Sequence, residues 1–380
     1  MFRILNAKNT HLSVNTSTRK SFLCQKLVLT ISLCLLSHVA HAQKPKPYLS
    51  SDSFDPTPRG ASGFRIAFYN VENLFDYFDD SLTIDEEFLP NQGRYWTKAR
   101  YQDKQQKLAK TIIAMGGWEP VPLIGLCEIE NRYVLESLTK FTVLKSAGYE
   151  IIHKDSPDRR GIDVAALYRP EKFKLINYHY YPLNFPFDPD SRTREILHVI
   201  GELPNKDTLH LFVNHWPSKF GGEFETQPKR MFAAEFVRNK VDSIRKIQPK
   251  AAVIITGDFN DEPEEASMIE GLAFDTKIES PKAENLYNLM YDIRYEAGTH
   301  SFENQWSIID QFIVSGNLLE GSNSTSILNN TAQIFNMDYL IMTGATGATR
   351  PFRTYQGPKY IGGYSDHLPI LLDLVLKTTK

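Results

Sequence analysis

The sequence predicts an α/β protein whose core is formed by mixed β-sheets in two layers, with helices on the outside. Apolar runs of strand length outnumber amphipathic helical stretches, and many of these runs are joined by turns too short for a crossover helix. A doubly wound parallel sheet is therefore not expected. The chain has 380 residues, of which 42% are hydrophobic and 23% charged, which is typical of a globular protein and suits one large domain or two small ones.

The first 42 residues are predicted to be a secretory signal. They contain five Lys or Arg residues, no Asp or Glu, and an apolar run at 27–36 that is followed by Ala-His-Ala, with cleavage expected after Ala42. A buried helix is the alternative, but no amphipathic period supports it. Residues 43–62 are rich in Pro, Ser and charge and are expected to form a flexible linker before a domain at 63–380. The protein is thus expected to be exported, to the periplasm or the cell exterior.

Removal of the signal changes the charge and the cysteine content. The remaining chain has 38 Lys and Arg against 45 Asp and Glu, a net charge of −7. This excess of negative charge argues against tight, sequence-independent binding of nucleic acid over the whole surface, although a local basic patch is compatible with it. Cys127 is the only cysteine left, so no intrachain disulfide is expected.

The predicted elements follow in order along the chain. Two amphipathic helices are expected, at 97–115 and at 228–244, the second beginning with a proline. The segment 330–363 is interpreted as a long connection, rich in Gly, Thr and aromatic residues, that contributes to specificity. Eight apolar runs are predicted to be strands, at 64–70, 121–128, 149–153, 161–169, 210–216, 251–257, 308–315 and 368–376.

Polar residues cluster where these strands end. In VIITGDFND (253–261) the strand is followed by Asp258 and Asn260, which point to the same side in an extended chain. Each such residue alone is more often part of a turn. Together they come from one small set of residue types, which favours a shared site. The other members are Asn70, Glu128, Asn214, His215, Asp310, Asp366 and His367.

This set of residue types indicates one kind of chemistry. Carboxylates and amides are hard oxygen ligands that suit Mg²⁺ or Mn²⁺, whereas no Cys or clustered His pair suggests zinc. Separated histidines suit a phosphate contact and proton transfer. The prediction is metal-assisted hydrolysis of a phosphate ester.

Six segments, taken in order, resemble the endonuclease/exonuclease/phosphatase superfamily, which includes deoxyribonuclease I-like nucleases, inositol-polyphosphate phosphatases and bacterial sphingomyelinases. DRRGIDVA and NHWPSKFGG are similar to segments of secreted members from Bacteroidetes-like bacteria. The resemblance implies a four-layer α/β/β/α sandwich, with two mixed β-sheets packed face to face and outer helices. The six segments are YNVEN (69–73), LCEIEN (126–131), VNHWPS (213–218), GDFND (257–261), IDQFIVS (309–315) and YSDHLPI (364–370).

The resemblance also implies roles for the residues that bind metal and water. Glu128 is expected to be the principal metal ligand, with Asn70 and Asp366 nearby. Asp258 is expected to orient or deprotonate the attacking water, and Asn260 to donate a hydrogen bond to the transition state.

The histidines have implied roles as well. His367 is expected to contact the phosphate with Asp310 as its carboxylate partner, and His215 to protonate the leaving oxygen. Asn214 is expected to hold phosphate. Because family members differ in the group that acts as base, Asp258 and His367 both remain candidates.

Three more residues are predicted to bind substrate: Arg160, Asp163 and Arg353. An arginine can clamp a phosphate with two parallel hydrogen bonds. A surface ion pair between Arg160 and Asp163 is an equally good interpretation of that turn.

The expected function is a secreted, Mg²⁺-dependent phosphodiesterase, with a nuclease of the endonuclease type as the leading candidate. A phosphomonoesterase, a phosphodiesterase for lipid or inositol phosphates, and a relative that binds without cutting are the alternatives. The complete set of site residues argues against the last of these. The mature chain is expected to be a monomer with a nucleic acid or other phosphodiester as substrate, without a membrane span or an obligate protein partner.

Overall fold

Two six-stranded mixed β-sheets pack face to face in a computed structural model that describes residue 54 and residues 62–377. The predicted signal, and all of the predicted linker except Phe54 and Ser62, lie outside the described residues. Sheet 1 has the strand order β13-β18-β1-β2-β4-β3. Its strands are β1 (Gly63–Leu74), β2 (Leu123–Ile129), β3 (Glu150–His153), β4 (Asp163–Tyr168), β13 (Thr325–Ile334) and β18 (Ile370–Leu376).

Sheet 2 has the strand order β5-β6-β7-β8-β12-β9. Its strands are β5 (Lys174–Tyr181), β6 (Ile196–Glu202), β7 (Thr208–His215), β8 (Ala252–Asp258), β9 (Leu286–Asn288) and β12 (Asp310–Ser315). Each sheet contains one parallel pair, β1 with β2 and β7 with β8, while the other neighbours are antiparallel. Parallel strands end at the same edge of a sheet, so both sheets present strand ends on one side of the sandwich.

Three α-helices of the described residues form the outer layers. α1 (Lys98–Gly116) and α2 (Arg132–Lys140) pack on sheet 1, and each begins at a capping side chain, Thr97 for α1 and Asn131 for α2. α3 (Glu223–Ile247) covers sheet 2. The predicted four-layer sandwich is confirmed.

The start of α3 differs from the prediction. The helix begins at Glu223, five residues before the predicted start, and contains Pro228 in its second turn. Proline is common at the first helical position, which led the prediction to start the helix there. In the structure the chain is interrupted earlier, at Gly221 and Gly222, whose φ angles are 92° and 124°.

β8 lies between two hydrophobic cores, and this position explains its apolar sequence. Ile254 belongs to the larger core between the sheets, whereas Val253 and Ile255 belong to the core under α3. Alternate residues of a strand face opposite sides, so a strand buried on both faces has a continuous apolar sequence. The run that precedes Asp258 therefore reflects burial on both faces of sheet 2.

The segment 330–363 is more regular than the long connection that was predicted, since it contains the end of β13 and two hairpins. Short helical turns lie at Glu86–Phe88, Val143–Ala147, Ser267–Leu272, Asp292–Tyr295, Gly316–Leu319 and Asp338–Leu340. The small hairpins are β10 (His300–Phe302) with β11 (Gln305–Ser307), β14 (Ile341–Thr343) with β15 (Thr349–Pro351), and β16 (Tyr355–Gln356) with β17 (Lys359–Tyr360). Within 62–377, no helix is both long and apolar enough to cross a membrane.

Candidate active site

The ends of β1, β2 and β8 meet at one edge of the sandwich, and Asn70 connects them. The Asn70 Nδ2 group lies 3.3 Å from Glu128 Oε1, on the neighbouring strand of sheet 1, and 3.0 Å from Asp258 Oδ2 in sheet 2. Asn70 itself is fully buried. The amide therefore joins the predicted metal ligand of one sheet to the predicted base of the other.

Glu128 is held in a fixed orientation at the end of β2. Its Oε2 atom accepts a hydrogen bond of 2.7 Å from the Asn73 backbone N–H, and its Oε1 atom lies 3.9 Å from His215 Nε2. Glu128 and Asn73 have φ angles of 62° and 50°, in the left-handed region that costs a non-glycine residue about 1 kcal/mol or more. Such conformations concentrate at functional sites, where the surrounding structure holds them in place.

The side chains at this edge of the sandwich form the candidate cleft, and Asp258 is buried at its centre. Its Oδ1 atom accepts a hydrogen bond from the Asn260 N–H at 2.9 Å, and Oδ2 lies 3.6 Å from His215 Nε2 and 3.8 Å from His367 Nε2. Burial raises the pKa of Asp258 to about 7, against the opposing effect of the His367 charge. A carboxyl with such a pKa can accept a proton near neutral pH.

Asp310 and His367 form a buried pair beside Asp258. The His367 Nδ1 group lies 2.8 Å from Asp310 Oδ2, and Asp310 is directly opposite Asp258 in the pairing of β12 with β8. Burial alone would lower the pKa of His367, but the carboxylates of Asp310 and Asp258 outweigh it and hold the pKa well above its usual value. His367 is therefore the protonated imidazole of the cleft.

His215 is the uncharged imidazole of the cleft. Burial lowers its pKa well below the usual value, and the charges of Arg194 and Arg160 add to this effect. Its Nδ1 atom is buried and has no hydrogen-bond partner among the described residues. The predicted role of His215 as an acid stays a prediction. The lowered pKa disfavours the charged imidazole, whereas the carboxylates of Glu128 and Asp258, at 3.9 and 3.6 Å from Nε2, favour it.

The two predicted amide contacts to substrate are engaged with the protein. Asn260 Nδ2 donates to the Trp216 carbonyl at 3.1 Å. Asn214 Nδ2 donates to the Thr256 carbonyl at 3.0 Å, and its Oδ1 atom accepts from Trp216 Nε1 at 3.1 Å. Asn214 is fully buried and fixes the end of β7 next to His215.

The structure separates the residues that were predicted to bind substrate. Arg160 is half exposed at the rim near His215. Asp163 is buried away from the rim, because its carboxylate is bonded to His153 Nε2 at 2.9 Å and to the Ser156 N–H at 2.8 Å. The ion pair between Arg160 and Asp163 that the turn suggested is thus replaced by a pair of His153 with Asp163.

Arg353 links two acidic residues behind the cleft. Its Nη2 group donates to Asp366 Oδ2 at 2.8 Å, and its Nε atom lies 3.5 Å from Glu72 Oε1. Asp366 is thereby oriented with its Oδ1 atom 3.9 Å from His367 Nε2. The charges of His367 and Arg353 hold the pKa of Asp366 below its usual value although burial acts to raise it.

Sequence reasoning missed the buried pair of Lys104 and Glu72 that supports Arg353. Lys104 Nζ donates to Thr354 Oγ1 at 2.6 Å and lies 3.7 Å from Glu72 Oε2. A signal was present, because Lys104 lies four residues before Leu108 on the buried face of α1. A lysine at an apolar position of a helix indicates a buried charge with a partner.

Arg194 was missed as well, and it holds three loops together beside His215. It is buried and donates to Asp158 Oδ2 at 3.1 Å and to the Trp216 carbonyl at 2.5 Å. The same carbonyl accepts from Asn260. Arg194 therefore positions the loop after β7 relative to the loops that precede β4 and β6.

The residues present fit a divalent cation. Four carboxylates converge here, those of Glu128, Asp258, Asp310 and Asp366, and Asp310 Oδ1 is buried without a hydrogen-bond partner among the described residues. Buried carboxylates are stable only when cations or donors compensate them, and His367 and Arg353 supply only part of that charge. Oxygen donors are also the ligands that divalent hard cations prefer.

The fold and this site define a class of enzyme, the hydrolases that act on phosphate esters through a bound divalent metal. Residues 65–376 match the Endonuclease/Exonuclease/phosphatase family, and the chain belongs to that family. The predicted resemblance is confirmed at this level. A search of curated protein sequences finds no match.

Solved structures with the same fold come from animals and bacteria. D. rerio TDP2 carrying 14 humanizing mutations is 15% identical, with a TM-score of 0.51 over 83% of this chain and 99% of that one. A mannosyl-6-phosphatase from Bacteroides thetaiotaomicron is 16% identical (TM-score 0.52; 82% and 100% covered). The human Nocturnin catalytic domain is 14% identical (TM-score 0.51; 87% and 98% covered). At these identities the likeness extends to the fold alone.

Proposed function

We propose that the protein is an exported, Mg²⁺-dependent phosphodiesterase that cleaves nucleic acid internally. The observation that supports this most is the bridge from Glu128 through Asn70 to Asp258, which joins the two sheets at the cleft. It supports the proposal because it joins Glu128, which we assign to the metal, to Asp258, whose pKa is about 7 and whose Oδ2 atom lies 3.8 Å from His367 Nε2. These are the functional groups that hydrolysis of a phosphate ester requires.

In the proposed mechanism Glu128, with Asn70 and Asp366, would hold the divalent ion, which would supply positive charge to neutralise the phosphoryl oxygens. Asp258 in its carboxylate form orients a water and accepts its proton. His367, charged and oriented by Asp310, donates a hydrogen bond to a phosphoryl oxygen. His215, whose Nε2 atom lies 3.6 Å from Asp258 Oδ2, is assigned to the leaving oxygen.

The rim next to His215 supports a polymeric substrate. The guanidinium groups of Arg159 and Arg192 hydrogen-bond to backbone carbonyls, of Asp190 and Pro189, and no carboxylate within 62–377 lies within 4.0 Å of either. With Arg160 they offer contacts for phosphates beyond the one that is cleaved.

Two aromatic side chains are exposed after His215. Phe220 and Phe224, in the loop after β7 and at the start of α3, are 93% and 85% exposed. Exposed rings are typical of surfaces that bind single-stranded nucleic acid by stacking. Asp155 and Asp190 are exposed in the same loops, so the positive charge is local, in keeping with the net negative charge of the chain.

A phosphomonoesterase is the second candidate, and a phosphodiesterase for lipid or inositol phosphates the third. The mannosyl-6-phosphatase with the same fold makes a sugar phosphate a reasonable substrate to test. A relative that binds without cleaving is disfavoured, because the cleft contains carboxylates and imidazoles in every role that hydrolysis requires.

The first test is a panel of substrates with Mg²⁺: plasmid, single-stranded DNA, RNA, mannose 6-phosphate, inositol phosphates, sphingomyelin and a synthetic bis-ester. We expect polynucleotides to be cleaved and EDTA to abolish turnover. Asp258→Asn and His367→Ala should each lower kcat by about 10²-fold or more while the Tm changes little. Asp242→Asn, on the far side of α3, serves as the control with unchanged kcat.

Three outcomes would contradict the proposal. Turnover that persists in EDTA would remove the metal from the mechanism. Faster cleavage of mannose 6-phosphate than of any polynucleotide would select the second candidate. Absence of turnover on all substrates, with Mg²⁺ bound, would select the relative that binds without cleaving.

A further inference from the structure

His300 extends the candidate site in a direction that the sequence motifs do not indicate. It is the first residue of β10, and it forms an antiparallel bridge with His367. The neighbouring Leu368 N–H donates to the Thr299 carbonyl at 2.7 Å, which fixes the hairpin against the His367 segment. The two imidazole rings lie 4.8 Å apart between centroids, tilted by 37°.

His300, Asp366 and His367 each direct one ligand atom to a common point. These three atoms lie within 4.8 Å of one another, and Asp366 Oδ1 is 3.9 Å from His367 Nε2. A metal ion with ligands at about 2.0–2.2 Å places them roughly 3–4.4 Å from each other. One ion can therefore contact all three with small adjustments.

The protein already orients two of these ligands from behind. His367 Nδ1 is bonded to Asp310 Oδ2 at 2.8 Å, which leaves Nε2 facing the cleft. Asp366 Oδ2 is bonded to Arg353 at 2.8 Å, which leaves Oδ1 facing the cleft. A carboxylate behind a histidine and a donor behind a carboxylate are the supports that metal ligands usually have.

We propose that His300, Asp366 and His367 form a second cation position, which takes a transition metal of the Zn²⁺ class in preference to Mg²⁺. Two imidazoles and one carboxylate are a ligand set of transition metals, whereas Mg²⁺ prefers oxygen. The position shares Asp366 with the proposed Mg²⁺ position, whose other ligands, Glu128 and Asn70, offer oxygen donors and no imidazole. It does not depend on which ester the enzyme hydrolyses.

Two other clusters within the described residues are weaker candidates. Asp258, Asp310 and His367 also have ligand atoms within 4.8 Å, but they include a single imidazole, and Asp310 Oδ2 is engaged with Nδ1 of that same ring. In the cluster of His153, Asp155 and Asp163, the His153 Nε2 atom is bonded to Asp163 and the Asp155 side chain is 82% exposed. The latter cluster provides a matched control.

Occupancy of this position affects His367 directly. The ion would replace the proton on Nε2, so binding should release one proton from His367. Nε2 is also the atom that the proposed mechanism assigns to the phosphate. Bound Zn²⁺ and a direct phosphate contact by His367 would therefore exclude each other. The Zn²⁺ content of the protein thus determines whether the substrate meets a bound ion or the free imidazole of His367.

The test is a titration of the metal-free full chain with Co²⁺ or Zn²⁺ in a large excess of Mg²⁺. Visible d–d absorption of Co²⁺ reports the ligand environment, and calorimetry with Zn²⁺ gives the stoichiometry. We expect one ion per chain that Mg²⁺ does not displace. His300→Gln and His300→Phe, the second of which retains the ring packing against His367, should each weaken Zn²⁺ binding by about 10–100-fold.

His153→Gln is the control, and it should bind Zn²⁺ like the unaltered protein. The inference is overturned if the protein binds no Co²⁺ or Zn²⁺ in Mg²⁺, if both His300 variants bind as tightly as the parent, or if His153→Gln removes the binding. A protein that binds Co²⁺ as expected but hydrolyses no ester would refute the proposed function and leave this inference intact.

Discussion

At the scale of the residue, neighbouring charges shift the pKa values of the two cleft histidines in opposite directions. His367 lies 2.8 Å from Asp310 and is held protonated, whereas His215 lies near Arg194 and Arg160 and is held neutral. Both side chains are equally buried, so burial does not explain the difference. Substitution of the charged residues beside the histidines, rather than of the histidines themselves, should therefore change which imidazole is protonated.

A buried histidine outside the cleft leads to a prediction about acid stability. Burial lowers the pKa of His198 to about 3, and His210, His179 and Lys240 add to this effect. Between about pH 6.5 and that value the unfolded chain binds a proton that the folded chain does not, so the free energy of unfolding falls as the pH falls. His198 should contribute about 2 kcal/mol to the loss between pH 7 and pH 5.

The measurement is urea unfolding at pH 5 and pH 7. His198→Phe retains a ring against Phe212, whose centroid is 4.1 Å from that of His198, and should lose less stability on acidification than the parent. His179→Phe, at the exposed residue directly across on β5, removes one of the smaller causes of the low pKa and should lose only slightly less stability than the parent. Parallel losses in all three proteins would show that His198 is not the group that matters.

Single residues also show where sequence reasoning ends. The motif residues Asn70, Glu128, Asp258 and His367 were predictable, because the first three come at the end of an apolar run and His367 comes directly before one. The partner of Asp163 was not predictable, since His153 reaches it only through the pairing of β3 with β4. Burial of Glu72 is likewise decided by a lysine on a distant helix.

At the scale of the element, the end of β8 requires a glycine. Gly257 has a φ angle of 155°, and a Cβ atom there would lie 2.3 Å from the Asn214 carbonyl oxygen of β7. Gly257→Ala should cost about 1–3 kcal/mol of unfolding free energy through overpacking. It should also lower kcat by about tenfold or more, because His215 and Asp258 end these two strands and a 1 Å displacement can cost that much.

The control for this change is Gly321→Ala, at a site where a Cβ atom would meet no other atom within 4 Å. It should leave both the Tm and kcat close to those of the parent. Full activity in Gly257→Ala would mean that β7 and β8 can separate without disturbing the cleft.

The pairing of β1 with β18 includes a buried ion pair that should be important for stability. Arg65 and Asp373 are directly opposite, joined by two hydrogen bonds of 2.7 and 2.8 Å, and Arg65 also donates to the Met115 carbonyl at the end of α1. Asp373→Asn should lower the free energy of unfolding by about 3–5 kcal/mol, because it leaves a buried charge uncompensated. Urea unfolding measures this loss.

Two comparisons isolate the effect of the charge. The double variant Arg65→Leu with Asp373→Leu should recover most of the lost stability, since an apolar pair of similar volume avoids the desolvation cost. Glu136→Gln, in an exposed pair with Arg132, should cost less than about 1 kcal/mol. Equal losses for Asp373→Asn and the double variant would refute the interpretation.

Eight of the strands were predicted, including the edge strand β3, whereas β5, β6, β9 and β13 of the two large sheets were missed. The apolar residues at 252–255 in β8 and at 312–314 in β12 indicated that these strands are buried. β5 has the sequence KLINYHYY and lies at the edge of sheet 2 with most of its side chains exposed or half exposed. Its strand conformation comes from pairing with β6, which no local pattern reveals.

At the scale of the whole molecule, one prediction concerns the processing of the chain. Export should remove residues 1–42, so N-terminal sequencing of exported material should begin at Gln43. The physical reason is the apolar run at 27–36 after a positively charged segment, followed by small residues. A mature protein that retains residues 27–36 would contradict the prediction, and material from the cytoplasm, where the signal is retained, is the control.

The Asn70 bridge has a consequence for how the molecule tolerates change. Glu128, the proposed metal ligand, belongs to one sheet and Asp258, the proposed proton acceptor, to the other, and a single buried amide is hydrogen-bonded to both. A slight slide of one layer over the other would misalign these two groups long before the protein denatured. The kcat should therefore respond to smaller shifts between the two layers than the Tm does. Impaired packing in the interior should first lower kcat in a protein that is still folded.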